Sequence, residues 1–318
     1  MTGGAGGADE PTVSVVLPTY DRAATLPGAI ESVLAQTHRP VELVVVDGGS
    51  TDDTDEVLEA VDDERLRVLR RESPAGPSAA RNAGVRATDG EFVAFVDADD
   101  RWRPRKLERQ FAAMERADAP VSLTGLEKSA GEPRTRGGAE GDVHGAVRRL
   151  EVPTYTSTLL ASRDALADVG GFDESLGCFE DWELCLRLSR EYGFTFVDDP
   201  LVEKGTNGDN VSADPDRLAA AFHALDRRYD LARSARVRLL ADVGVTYFEA
   251  GRFAEGRPYA ARSLALDVRR PKVAVALVLS LTGSPTAFDS AMERVYGAER
   301  LLHAAGLRLR RQLQATGR

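Results

Sequence analysis

Asp97, Asp99 and Asp100 stand together in the segment Gly90–Trp102, GEFVAFVDADDRW. Carboxylates this close repel one another unless positive charge sits among them. A divalent cation is the simplest such charge. Hard carboxylate oxygens suit Mg2+ or Mn2+, and these ions keep waters and take substrate phosphates as further ligands. The spacing therefore points to a metal–diphosphate site. Asp47 stands before Gly-Gly-Ser, where glycines allow a tight turn and close approach to a ligand. Glu180 and Asp181 open the helical pattern FEDWELCLR, where exposed amides favour carboxylates. A carboxylate in reach of a hydroxyl is also a general base. Arg81 and Asn82 follow a Pro/Gly loop at another helix start.

These residues need elements to bring them together. Phe92–Val96 reads as a strand buried on both faces that runs straight into the acidic turn. Val13–Leu17 is a second β-branched run, ended by Pro18 and the turn Thr19-Tyr20-Asp21-Arg22. Val41–Val46 ends in the turn Asp47–Asp52, and Leu66–Leu69 is a further short strand. Helical patterns over Ala23–Ala35, Asp53–Val61 and Pro104–Ala117 alternate with these runs. Such alternation predicts a mainly parallel sheet with right-handed crossovers. The polar turns after Leu17, Val46 and Val96 should then converge on one sheet edge, where open α/β sheets bind ligands.

Beyond the acidic turn, strands are expected at Val121–Thr124, Thr154–Leu160 and Phe194–Val197. Lys128–Gly145 reads equally as a mobile loop or as a disordered stretch, and Gly205–Asp214 as a polar loop. On the helix opened by Glu180, Trp182, Cys185, Leu186 and Ser189 fall on an inward face, and Glu183 and Arg187 pair on the outside. From Pro215 the pattern is helical only: Asp216–Arg233, Ser234–Ala250, Arg252–Leu266, Lys272–Leu281 and Pro285–Gln314. Two of these resemble a single tetratricopeptide-like hairpin about Gly251. The last ends in an amphipathic stretch, Leu301–Leu313.

At 318 residues the chain can hold one large domain and a smaller one. No apolar run reaches the roughly 18–20 residues that span a bilayer. MTGGAGGADE lacks the basic start and apolar core of a signal peptide, so it reads as a disordered tail. Cys178 and Cys185 lie seven apart, which is neither a metal nor a redox spacing and fits packing in a reducing compartment. His38, His144, His223 and His303 show no ligand spacing and read as surface or loop residues. Residues 1–214 carry 23 basic against 41 acidic side chains, and residues 215–318 carry 18 against 10. A basic half on an acidic body suits an anionic partner such as a membrane surface or a lipid-linked phosphate.

In order, the PTYDR turn, the DGGSTDDT turn, the ARN helix start, the DAD pair and the FEDWELCLR helix start resemble the family 2 inverting glycosyltransferases. The resemblance covers about Val13–Ser212. It implies the GT-A fold, a Rossmann-like α/β architecture with a mixed, mainly parallel sheet flanked by helices. Together with the helical pattern that follows, the expected organisation is a tail over 1–11, a catalytic domain over 12–214 and an α-helical domain over 215–318. The resemblance places Pro18, Thr19, Tyr20 and Asp21 on the nucleotide base and ribose. Asp47 contacts the base, and Arg81 and Asn82 lie near the diphosphate. Asp97, Ala98 and Asp99 match the DxD motif, with Asp99 and Asp97 holding Mn2+ or Mg2+. Asp181 matches the catalytic base, with Glu180 beside it. Asn210 and Ser212 match a late loop near the diphosphate, and Lys204 is the nearest basic residue there.

The implied reaction moves a sugar from a nucleoside diphosphate sugar, a UDP-sugar foremost, to a hydroxyl of a glycan or lipid-linked acceptor in polysaccharide or glycan synthesis. The expected place is the cytoplasm, with peripheral contact at the inner membrane face and no nucleic-acid partner. Two rivals share these residues. A sugar-phosphate nucleotidyltransferase would want a Gly-rich basic loop near the start, which PTYDR is not. A non-catalytic nucleotide-sugar-binding scaffold would use the helical part for interaction.

Overall fold

The computed structural model describes residues 11–128, 140–205 and 213–295. The chain divides into two compact units, Met1–Asn210 and Val211–Arg318. The first is built from β1 (Val13–Thr19), α1 (Leu26–Leu34), β2 (Val41–Asp47), α2 (Thr54–Glu59), β3 (Leu66–Arg70), α3 (Pro77–Arg86), β4 (Phe92–Phe95), β5 (Arg101–Trp102), α4 (Lys106–Ala117), β6 (Val121–Lys128), α5 (His144–Arg148), β7 (Leu160–Ser162), α6 (Arg163–Asp168), α7 (Glu180–Glu191) and β8 (Phe194–Lys204). They form one sheet in the order β3-β2-β1-β4-β7-β6-β8-β5. The four strands β3, β2, β1 and β4 run parallel, as the strand–helix alternation requires. β7 enters antiparallel between β4 and β6, which makes the sheet mixed.

The parallel half sets the register of the site. Thr19 pairs with Asp47, and Val16 pairs with Phe95, so the first, second and fourth strands end at one edge. Their β-branched residues are buried on both faces. Helix α3 rides close on β1: a Cβ at Gly84 would lie 2.3 Å from Val16 Cγ1. That approach sets the height of Arg81, one turn earlier on the same helix.

Two expectations fail for identifiable reasons. Thr154–Leu160 was expected to be a strand, but Thr156–Thr158 is a 3-10 turn and the strand begins at Leu160. A hydroxyl that bonds locally competes with a sheet ladder; Thr158 Oγ1 donates to Tyr155 O at 2.7 Å. The last strand was expected to stop at Val197, before Pro200. Instead β8 continues to Lys204. Register shifts around Gly125 of β6 place Gly125 opposite Pro200, and a proline is tolerated where a ladder is irregular.

Smaller corrections follow the same logic. Part of the expected Lys128–Gly145 loop lies outside the described residues, while Gly141 exchanges both backbone hydrogen bonds with Phe194 and His144 opens α5. Glu183 and Arg187 do pair, at 2.6 Å, but Glu183 is buried rather than outside. Arg187 also donates to Gly171 O at 2.7 Å and to Val169 O, which ties α7 to the Gly170-Gly171 turn. His38 is buried too, stacked on Phe111 with ring centroids 4.6 Å apart. Trp182 packs and donates Nε1–H to Val147 O at 2.7 Å, and Cys178 and Cys185 are buried free thiols.

The second unit contains α8 (Pro215–Arg228), α9 (Arg233–Glu249), α10 (Phe253–Leu266) and α11 (Pro271–Ser280), and residues 285–295 are helical. Asp214 caps α8 by accepting from the amides of Asp216 and Arg217. Helices α9 and α10 form the expected hairpin about Gly251, whose φ of +72° suits glycine. Their crossing is close enough that a Cβ at Gly256 would lie 2.7 Å from Gly244 O. The amphipathic stretch Leu301–Leu313 and residues 1–10 lie outside the described residues.

Gly84→Ala tests the seating of α3. The added methyl meets the β-branched Val16, so overpacking should cost about 1–3 kcal/mol. Thermal unfolding should show a Tm lower by roughly 2–4 °C for each kcal/mol.

Candidate active site

The site grows from the carboxyl ends of β1, β2 and β4. The first two turns are laced together by short polar contacts. Gly48 N–H donates to Thr19 O at 2.9 Å. Asp47 accepts from Ser50 Oγ at 2.6 Å and from the Ser50 amide. Asp21 adopts a left-handed φ of 50°, and its Oδ1 accepts from the amides of Thr51 and Asp52. The amide of Asp21 donates to Ser50 Oγ at 2.9 Å. Asp21 therefore joins the two turns, and Tyr20 stands exposed between them. Thr19 is buried, and its Oγ1 has no hydrogen-bond partner among the described residues.

Arg81 links the acidic turn to the start of α7. Nη2 donates to Asp97 Oδ1 at 2.8 Å and Nη1 to Glu180 Oε1 at 2.9 Å. The guanidinium is buried and stands over the Phe172 ring, with Cζ 5.3 Å from the centroid. Burial opposes its charge, but Asp97 and Glu180 outweigh that and hold the proton more tightly than usual. Asp97 is likewise held below the ordinary carboxylate range: burial raises it, and the charges of Arg81 and Lys204 prevail. The positive charge expected among the carboxylates is thus supplied in part by the protein itself. Arg81 Nε has no partner among the described residues.

The second cation arrives along β8. Lys204 Nζ lies 3.8 Å from Asp97 Oδ2 and 3.5 Å from Asp100 Oδ2. Asp100 is buried and also accepts from Ser157 Oγ at 2.5 Å and from the Gly205 amide at 3.0 Å. Burial and the neighbouring Asp97 push its carboxyl up to about 6. Ser157 Oγ in turn accepts from the Asp97 amide at 3.0 Å. Gly205 presses on the acidic turn: a Cβ there would lie 2.3 Å from Asp99 O.

The Asp99 side chain is half-buried, with no hydrogen bond or ion pair among the described contacts. Its oxygens, hard donors beside Asp97, fit Mg2+ or Mn2+, which take one or two carboxylates and complete their shell with water and phosphate. A cluster of three or more acidic, histidine or cysteine ligands is absent among the described residues. Asp97 is engaged by Arg81 and Lys204, so Asp99 is the better placed of the two expected metal ligands.

Glu180 and Asp181 open α7, after Phe179 in a left-handed conformation. Asp181 Oδ1 accepts from the Trp182 amide at 2.7 Å, and Oδ2 makes no hydrogen bond among the described contacts. Burial and the adjacent Glu180 charge push Asp181 up to about 7. A carboxyl with its affinity near neutrality is suited to taking a proton.

Not every expected residue points into the site. The Asn82 amide is spent on the backbone of Phe172, donating to its O and accepting from its N–H at 2.9 Å each, with a further bond to Glu174. It staples α3 to the 171–174 loop. Ala98 is buried between the two DxD carboxylates, and Pro18 is half-buried on β1. Asn210 and Ser212 lie outside the described residues. Sequence reasoning did not find Ser157 or Phe172. It grouped Asp100 with Asp97 and Asp99 around a cation, whereas Asp100 is buried and engaged by Ser157, Gly205 and Lys204. Ser157 was hidden in a run read as a strand.

Residues 14–169 match the model of a family described as Glycosyl transferase family 2. A protein of Escherichia coli named UDP-Glc:alpha-D-GlcNAc-diphosphoundecaprenol beta-1,3-glucosyltransferase WfgD is 38% identical over 106 residues, which are 33% of this chain and 42% of that protein. The chain spans about a third to a half of the length of the curated relatives it matches. Among solved structures, S. aureus TarS 1-349 in complex with UDP-GlcNAc superposes with a TM-score of 0.59 at 19% identity, over 90% of this chain and 92% of that one. The mannosyltransferase PcManGT from Pyrobaculum calidifontis, in complex with GDP-Man and Mn2+, gives 0.57 at 19% identity, over 88% and 86%. The fold is the GT-A type expected from the sequence.

The raised affinity of Asp181 has a consequence for stability. The folded chain keeps this proton up to about pH 7, whereas an unfolded aspartate releases it near its model value of 3.8. The group therefore favours folding at low pH, and that contribution is lost as pH rises through about 7. Asp181→Asn removes the penalty. Its Tm should match the parent at pH 4 and exceed it at pH 8, by about 2–4 °C for each kcal/mol relieved.

Proposed function

We propose, for a chain that belongs to glycosyl transferase family 2 through residues 14–169, an inverting transfer of a sugar from a nucleoside diphosphate sugar to an acceptor hydroxyl. The observation that carries this reading is the Arg81 bridge, which brings the DxD turn and the Glu180-Asp181 helix start into one site. Asp181 Oδ2 takes the acceptor's proton as its oxygen attacks the anomeric carbon. The carbon–oxygen bond to the diphosphate breaks on the opposite face, and its electron pair leaves with the diphosphate. One displacement inverts the centre. No carboxylic acid needs to protonate a diphosphate, so the paired-carboxylate scheme of glycosidases does not apply.

Tyr20 is the exposed group offered to the base and ribose, above buried Thr19 and Asp47, and Lys204 is the ammonium offered to the leaving diphosphate. When bound, a Mg2+ or Mn2+ ion at Asp99, with Asp97 beside it, supplies Lewis-acid charge at that same place. A uridine donor is the first choice, supported by the UDP-GlcNAc complex of TarS and the UDP-Glc of the Escherichia coli relative's name. Guanosine is the competitor, on the strength of the GDP-Man complex. The relative's name also supports a lipid-linked acceptor and a role in polysaccharide synthesis.

The C-terminal unit supports peripheral contact with an anionic membrane face from the cytoplasmic side. The 18 basic against 10 acidic side chains of residues 215–318 suit such a surface. Val275, Val278 and Leu281 are exposed on and after α11, which in the sequence follows Arg269 and Arg270 and includes Lys272. Among the described residues no helix is long and apolar enough to cross a membrane. In liposome flotation the full chain should rise with vesicles containing phosphatidylglycerol and stay down with neutral ones. A chain that never floats removes the membrane from the picture.

Thermal shifts with UDP, GDP, CDP and dTDP, with and without Mn2+, test the site. A nucleotide at about 100 times its Kd should add roughly 2.7 kcal/mol of stability. The metal-dependent part should vanish in Asp99→Ala. Asp181→Asn should cut transfer by about 100- to 10,000-fold while donor binding stays. Intact turnover would favour another base, and silence with every nucleotide would favour the scaffold.

A further inference from the structure

We infer that Asp100 is a positioning residue that fixes the Lys204 ammonium against the diphosphate side of the site. The inference rests on the glycosyl-transfer reading and adds to it a residue outside the DxD pair. Asp100 is about 1% exposed, so substrate cannot reach it. Its carboxylate nevertheless gathers partners from separate parts of the chain. Oδ2 accepts from Ser157 Oγ at 2.5 Å and lies 3.5 Å from Lys204 Nζ, and Oδ1 accepts from the Gly205 amide at 3.0 Å.

Each partner leads back to the reacting groups. Ser157 Oγ accepts from the Asp97 amide at 3.0 Å, so Asp100 braces the backbone that carries the DxD turn. The Trp102 indole donates to Ser157 O at 3.0 Å and holds that 3-10 turn in place. Gly205 packs so closely on Asp99 that no side chain fits between them. Lys204 is shared, 3.8 Å from Asp97 Oδ2. One buried carboxylate thus anchors the end of β8 to the end of β4 and fixes where the ammonium sits. Without that charge, the balance of attraction on Lys204 shifts toward Asp97, where it competes with whatever cation the diphosphate brings. Supporting groups of this kind typically change activity or metal affinity by about 10- to 100-fold.

The test uses the full chain, with donor turnover and calorimetric binding of UDP or GDP in Mn2+ as separate readouts. Asp100→Asn keeps the shape and removes the charge. It should lower kcat/KM by roughly 10- to 100-fold and weaken Mn2+-dependent nucleotide binding. Lys204→Gln should do the same. The double substitution should fall short of the product of the two single losses, because the Asp100–Lys204 pair is lost in each. Losses that multiply, or an Asp100→Asn chain with unchanged turnover and nucleotide binding, overturn the inference. If Asp100→Asn does not fold, Ser157→Ala carries the test, since it removes one brace and keeps the charge. A several-fold loss in kcat with nucleotide binding weakened supports the role, and unchanged constants overturn it. An unsubstituted chain that neither binds nucleotide nor turns over any donor overturns the glycosyl-transfer reading, and this role with it. A turning-over chain indifferent to residue 100 overturns the role alone.

Discussion

The site depends on one buried guanidinium. Arg81 lies between Asp97 and Glu180, 2.8 and 2.9 Å from their oxygens. Carboxylates gathered at a sheet edge in a low dielectric repel one another, and the desolvation of each is costly. A planar fork with two donors aimed in different directions relieves both problems at once. It also fixes geometry, because the two carboxylates belong to different elements: one ends β4, the other opens α7. Removing such a group would leave buried charge unpaired, which typically costs about 3–5 kcal/mol. Arg81 can occupy this place because Gly84 lets α3 sit against β1.

Around that bridge the polar groups divide by task. Asp21, Asn82 and Asp100 have their side chains engaged by backbone amides, hydroxyls or charge, and they hold turns in place. Asp99 and Asp181 Oδ2 remain uncommitted among the described contacts. In Asp181 the withdrawal of water and the charge of Glu180 push the proton affinity up to about 7, where a carboxylate is an effective base at neutral pH. Engaged Asp100 thus stands one residue from uncommitted Asp99. Residue type does not distinguish them; hydrogen-bond saturation does.

Much of the architecture could be read from the chain. The apolar runs at Val13, Val41, Leu66 and Phe92 are buried parallel strands, and the three polar turns meet at one edge because parallel strands in register end together. The helical third after Pro215 could be read from its helix-length segments and from glycine at the turn. Expectations failed where side chains overrode backbone preference. TYTSTLL looks like a strand by β-propensity, yet Thr158 bonds back to Tyr155 O, Ser157 bonds Asp100, and the run makes a 3-10 turn. Phe194–Val197 reads as a short strand, yet β8 runs on to Lys204, past Pro200 at a register shift.

By itself the sequence determined which chemical groups exist, in what order, and on which edge of the sheet they end, because strand and helix periodicity are local properties. Tertiary structure decided which charges meet. Arg81 is 16 residues from Asp97 and 99 from Glu180 along the chain, and Lys204 is 104 from Asp100. Reading DAD alone, a metal was the obvious counter-charge for three aspartates. In the fold, Arg81 and Lys204 neutralise part of that charge and leave Asp99 open. The difference lies in the length scale of the physics. Propensity acts over a few residues, while Coulomb interaction and desolvation act over a few ångströms, and only folding makes those two distances correspond.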